Sequence, residues 1–232
     1  MPKSVIDAHR LIGPVPFDDL PTDPRAEMDR LGIDRACVTH TLSLYSDAQA
    51  GNEALLRLAD PRLIPVPVVV PGVPGASAPA DLHQVQAWNV RMIRLCPERH
   101  RFDLTGPIAL RWLAALALPV AIDLEETSPA QLRTLFERLP EQRVLLLNPG
   151  YRRLRALAEL MAETRRLWVE MGTVNTQGGV EWLAHRFGAD RLVFGTGAPI
   201  ADDCGPRFLL DHLDLEPSAV DLIAAGSLSR LL

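Results

Sequence analysis

The chain has 232 residues, 47% hydrophobic and 23% charged, which is enough apolar side chain for a barrel-sized core and excludes a largely disordered chain. Its 24 Lys and Arg against 29 Asp and Glu leave a formal net charge of −5. No basic cluster suited to phosphates is present, so nucleic acid is not an expected partner.

In chain order, the stretch Met1 to His9 lacks the apolar run of a signal peptide, and the long apolar stretch from Leu63 to Val73 is broken by prolines. These features predict a cytoplasmic protein with no membrane partner. Short aliphatic runs alternate with stretches of helical period, the pattern of βαβ units. Strands are expected at Val5–Ala8, Ala36–Thr41, Leu63–Val70, Arg91–Leu95, Pro119–Leu124, Arg143–Leu147, Leu167–Glu170 and Leu192–Gly195. Eight strands close a barrel, so the expected fold class is α/β, a distorted (β/α)8 TIM-like barrel.

The punctuation agrees. Ser128-Pro129-Ala130-Gln131 reads as a capping box with proline at the first helical position, opening a helix through about Arg138. Asp23-Pro24 reads the same way. Gly32 and Gly188 stand where helices stop, each followed shortly by Asp-Arg and an apolar strand. Pro67, Pro71 and Pro74 make the segment from 65 to 79 loop-like. No linker interrupts the chain, so residues 1–232 read as one domain.

Parallel strands covered on both faces are nearly all apolar, so polar residues at their carboxyl ends carry information. In Val120-Ala121-Ile122-Asp123-Leu124-Glu125 the period of two puts Val120, Ile122 and Leu124 on the helix-facing side and Ala121, Asp123 and Glu125 toward the barrel mouth. The same parity pairs Asp7 with His9 and Arg94 with Cys96, and Asn148 and Glu170 end their strands. His9, Asp123 and Glu170 are the candidate catalytic residues. Arg94, Asn148, His40, Tyr151 and Glu125 are candidate substrate contacts. Each also has a plainer reading. His9 can bond neighbouring backbone, Asp123 and Glu125 can be solvated loop residues, and Arg94 can neutralise Glu170 inside the barrel. Asp7 reads as structural, Asp202 and Asp203 as a solvated loop, and Cys37 and Cys96 as small buried hydrophobes. The three cysteines, counting Cys204, are odd in number and lack Cys-x-x-Cys spacing, which speaks against disulfides and a thiolate metal site.

The segments Ile6-Asp7-Ala8-His9, Leu31-Gly32-Ile33-Asp34-Arg35-Ala36, Val90-Arg91-Met92-Ile93-Arg94-Leu95, Leu118-Pro119-Val120-Ala121-Ile122, Asn148-Pro149-Gly150 and Arg191 to Pro199 occur in an order that resembles the amidohydrolase-related family. The resemblance covers nearly the whole chain and implies metal-dependent hydrolases and decarboxylases on a distorted barrel. It also implies an opening pattern Asp-x-His-x-His, whose second His is Leu11 here. A metal-binding His is implied on strand five, where Asp123 stands, and a His after strand six, where Asn148 stands. The implied final Asp before Ala-Pro is Gly197. Only His9 and Asp123 then match ligand positions, too few for a divalent ion. The expectation is no cofactor and no metal in the family position.

Two functions follow from these residues. The first is a metal-independent enzyme acting on a small carboxylate or carbonyl substrate, by lactone-type hydrolysis, decarboxylation or a related lyase, isomerase or cyclisation step. The second is an inactive barrel serving as a binding or scaffold subunit. A homodimer or a partner subunit is compatible with either.

Overall fold

The computed structural model describes residues 2–73 and 80–232, so Pro74, which the sequence places in a loop, lies outside the described residues. Eight parallel strands are present: β1 Ile6–Ile12, β2 Arg35–His40, β3 Leu63–Pro65, β4 Ile93–Leu95, β5 Val120–Asp123, β6 Val144–Leu147, β7 Leu167–Glu170 and β8 Leu192–Val193. Between and after them lie α1 Arg25–Leu31, α2 Thr41–Tyr45, α3 Ala48–Leu56, α4 Leu82–Ala87, α5 Pro107–Leu116, α6 Pro129–Arg138, α7 Leu154–Glu163, α8 Gly179–Phe187, α9 Cys204–Asp211, α10 Pro217–Asp221 and α11 Ser227–Leu231. The strands pair in the orders β1-β2-β3 and β4-β5-β6-β7-β8. Single bridges close the ring, Val68 with Arg94 on one side and Arg10 with Ala198 on the other. The result is a distorted (β/α)8 barrel.

The distortions have local causes. The strand expected over Leu63–Val70 stops at Pro65, because Pro65 and Pro67 have no N–H to give a ladder. Beyond them Asn52 substitutes for a neighbouring strand: its Oδ1 accepts from Val68 N at 2.9 Å and its Nδ2 donates to Val68 O at 2.7 Å. β8 is shorter than expected because Phe194 N turns aside to donate to Ile223 O, in the π turn Leu222–Gly226. β1 is longer than expected, running on to Ile12, and its register with β2 shifts between Asp7 and Arg10.

The alternation read from β5 is observed. Val120, Ile122 and Leu124 pack in the large cluster with Leu132 and Leu135 of α6. Ala121 packs with Ile6, Ala8, Cys37, Ile64, Met92, Leu145, Leu147 and Val193, the barrel interior, which Leu228 and Leu231 of α11 also join. The start of α6 is as expected in its main bond, Ser128 Oγ accepting from Gln131 N at 3.2 Å. The return arm of the box is missing, since Gln131 Oε1 takes Thr127 Oγ1 instead. At α1, Pro24 occupies the cap itself rather than the first helical position, and Asp23 accepts from Arg25 N. Gly32 ends α1 with φ of +63°, the left-handed conformation glycine adopts without cost. Among the described residues, no helix is long and apolar enough to cross a membrane.

Candidate active site

The carboxyl ends of the strands surround a cavity of about 150 Å³. The β1 bulge decides what β1 presents to it. Ile6 and Ala8 face the interior, but past the bulge the phase switches and His9 and Leu11 line the cavity. Asp7 is therefore not beside His9 on the cavity wall, as simple parity suggests. It is fully buried, accepting from His9 N at 3.0 Å, Thr196 N at 3.1 Å and Thr196 Oγ1 at 2.7 Å. Burial pushes its carboxyl up to about 6, against the opposing pull of Arg10.

His9 sits between a cation and an anion. Its Nε2 is 3.2 Å from Arg94 Nη1 and its Nδ1 is 3.5 Å from Glu170 Oε2. A guanidinium only donates, so Nε2 is the acceptor and the ring proton belongs on Nδ1, toward Glu170. Glu170 is held in turn by Gly172 N on Oε1 at 2.8 Å and Asn148 N on Oε2 at 3.0 Å. The room for it comes from two glycines. A Cβ on Gly195 would stand 2.5 Å from Glu170 Cγ, and one on Gly172 would stand 2.5 Å from Glu170 Oε1.

Asp123 and Asn148 form the opposite wall. Asn148, in the left-handed region at φ +46°, donates from Nδ2 to Asp123 Oδ2 at 2.5 Å. Asp123 Oδ1 accepts from Glu125 N at 2.9 Å, which starts a 3-10 turn and takes Glu125 off the strand to the cavity rim. Arg94 is 6% exposed, and among the described residues no carboxylate lies within ion-pair distance of it. Its Nε, closed to solvent, has no hydrogen-bond partner. Cys96 lines the cavity as a thiol, burial pushing it up to about 11.

Six of the eight candidate site residues therefore meet at one cavity: His9, Arg94, Asp123, Glu125 and Asn148 on its wall and Glu170 behind His9. His40 and Tyr151 are not brought there. His40 caps α2, its Nδ1 accepting from Leu42 N at 3.1 Å. Tyr151 is 48% exposed, and its hydroxyl takes Arg152 Nε. Arg99, Tyr45 and Glu126 were not legible as site residues. Arg99 donates from N and Nε to Glu126 and lies over the Tyr45 ring, 4.8 Å from its centroid. These contacts join the end of α2, the loop after β4 and the 3-10 turn after β5, and no spacing within one segment announces them.

The residues present do not fit a divalent metal. The Nε2 lone pair of His9 faces a buried guanidinium, both Glu170 oxygens accept backbone N–H groups, and Gly197 offers no side chain. Among the described residues, the one group of three acids, thiols or imidazoles close enough to share an ion is Asp202, Asp203 and Cys204, outside this cavity. There Arg30 already lies on the Cys204 sulfur at 3.3 Å and on Asp203 at 3.2 Å.

A barrel with a polar mouth built this way defines a class, and the family model described as Amidohydrolase matches residues 8–226. The chain belongs to that family. Among solved structures it is similar to an uncharacterized TIM-barrel protein from Bordetella bronchiseptica, with 15% identity, TM-score 0.77 and 98% of each chain covered. It is also similar to 5-carboxyvanillate decarboxylase from Novosphingobium aromaticivorans complexed with manganese and 4-hydroxy-3-methoxy-5-nitrobenzoic acid, with 13% identity, TM-score 0.75 and 98% and 95% covered. A third is 2,6-dihydroxybenzoate decarboxylase from Rhizobium, with 12% identity, TM-score 0.73 and 99% and 98% covered. None of the curated proteins compared with the chain matches it.

Proposed function

We propose that the protein is a metal-independent enzyme that acts by acid/base chemistry on a small carboxylate, with decarboxylation as the reaction the site suits best. The observation that carries this reading is Arg94. A guanidinium removed from water without a carboxylate partner is costly, and an anionic ligand in the cavity beside it offsets that cost. A planar carboxylate matches the guanidinium fork, and Asn148 supplies a second polar group on the wall. The cavity, about 150 Å³, is the size of one that holds benzene, so a single-ring acid is the scale of ligand it takes. Two of the similar structures are named as decarboxylases of such acids, which supports the same choice.

In this reading Arg94 and Asn148 hold the carboxylate, and His9 and Asp123 handle the proton, His9 oriented by Glu170. For decarboxylation one proton is taken up from solvent and passed through Asp123 and His9 to the ring carbon that bears the carboxylate; the bond between that carbon and the carboxylate breaks, CO2 leaves, and the proton stays on the product. The carboxylate thus loses its charge as it departs.

The test is turnover of single-ring carboxylic acids by the wild type and by His9→Asn and Asp123→Asn. General acid/base groups contribute about 10²–10⁴-fold, so each variant is expected to lose at least about a hundredfold in kcat while its melting stays cooperative. Unchanged turnover in both variants removes the assignment. No turnover in the wild type, with acids still bound, favours the scaffold reading.

A further inference from the structure

Leu11 and Ala201 each line two cavities. On one side is the site described above. On the other is a cavity of about 240 Å³ whose wall includes Arg10, Pro21, Pro24, Glu27 and Asp203. The segment from 197 to 201 is therefore a partition between them, carrying Gly197 and Ile200 on the site's side. None of its side chains belongs to the hydrophobic clusters of the barrel. Its own bonds are few: Ala201 N to Gly197 O, Ala198 N to Thr196 Oγ1, Gly197 N to His9 O and Leu11 N to Ala198 O.

One guanidinium fixes both ends of this segment. Arg10 is 1% exposed, with Nε 3.3 Å from Asp7 Oδ2 and Nη2 donating to Asp203 Oδ2 at 2.5 Å. Asp7 holds the N–H and hydroxyl of Thr196, just ahead of the partition. Asp203 lies just behind it and also receives Arg30 Nη2 of α1 at 3.2 Å. A part-buried ion pair is screened by salt less than an exposed one, so a contact of this kind, tied to β1 at one end and to the segment behind the partition at the other, holds that segment in one position.

We propose that the Arg10–Asp203 ion pair determines substrate size: by fixing the partition it limits the site to single-ring carboxylates, and its loss joins the two cavities and admits bicyclic ones. This rests on the reading that the smaller cavity binds a carboxylate. Arg10→Met also strips Asp7 of its partner, so the primary variant is Asp203→Ala, with Asp203→Asn as the conservative replacement. Benzoate and 2-naphthoate are titrated calorimetrically against the wild-type chain and both variants, and amide exchange is followed over residues 196 to 201.

The wild type is expected to prefer benzoate by about tenfold or more, since specificity is a difference of two affinities that a closed wall can create. Asp203→Ala is expected to shift the ratio of the two affinities toward naphthoate by about tenfold and to speed exchange of the partition by at least that factor. Asp203→Asn, which still accepts from Arg10, falls between. A ratio unchanged in Asp203→Ala, or equal loss of both acids, overturns the proposal. If the wild type binds neither acid, the carboxylate reading of the cavity fails and the size limit with it. The exchange rates then report separately whether the ion pair holds the partition.

Discussion

Arg94 concentrates the chemistry at the scale of single residues. Its guanidinium lies against the His9 ring and leaves Nε without a partner, and no carboxylate among the described residues is within ion-pair distance, so a bound anion gains a charge-assisted partner. Arg94→Met is expected to weaken benzoate binding by about tenfold or more, with Arg94→Lys recovering only part of it because an ammonium lacks the planar fork. Equal binding in wild type and Arg94→Met places the anion elsewhere. Asp7 gives a pH prediction. Its carboxyl titrates near 6 in the fold and near 3.8 unfolded, so the folded state holds the proton more tightly. The contribution of Asp7 to stability is therefore full below about 4 and is lost as pH rises through 6. Measured against Asp7→Asn, the wild type should gain up to about 3 kcal/mol in relative stability between pH 7 and pH 4. A flat difference across that range contradicts the burial argument.

At the scale of elements, the barrel ends are set by short-range devices whose effects are separable from the site. Ser128 is one of them. Removing its bond to Gln131 N in Ser128→Ala should cost about 1 kcal/mol, seen as a lower Tm, with benzoate affinity unchanged because α6 contributes no residue to the cavity wall. A change in affinity instead would tie α6 to the site. Elements of this kind were legible in the sequence because their signals are local. The alternation Val120-Ala121-Ile122-Asp123 identifies both faces of β5, and Leu167–Glu170 is reproduced to the residue. What the alternation did not reveal was the phase change in β1, where a bulge turns Asp7 away and His9 inward. The pairing of Arg99 with Glu126 escaped as well, since it depends on how the loops after β4 and β5 meet in space. His40 and Tyr151 stood out by residue type alone, and their backbone positions send one to a helix cap and the other to solvent.

At the scale of the whole molecule, the family's barrel is retained while the polar groups at its mouth are arranged as a network of charges and hydrogen bonds. Arg94 confronts His9, Glu170 is consumed by backbone N–H groups, and a Cβ on Gly197 would stand 3.2 Å from Ala201 Cβ. A divalent ion would have to displace a buried guanidinium to reach the one imidazole present. The most direct test is therefore elemental analysis of protein purified without added metal, paired with melting curves with and without chelator. The account predicts metal well below one per chain, a chelator-independent Tm and undiminished binding of benzoate after chelation. About one metal per chain with a chelator-sensitive melt would contradict it and would mean that the site carries ligands other than those assigned.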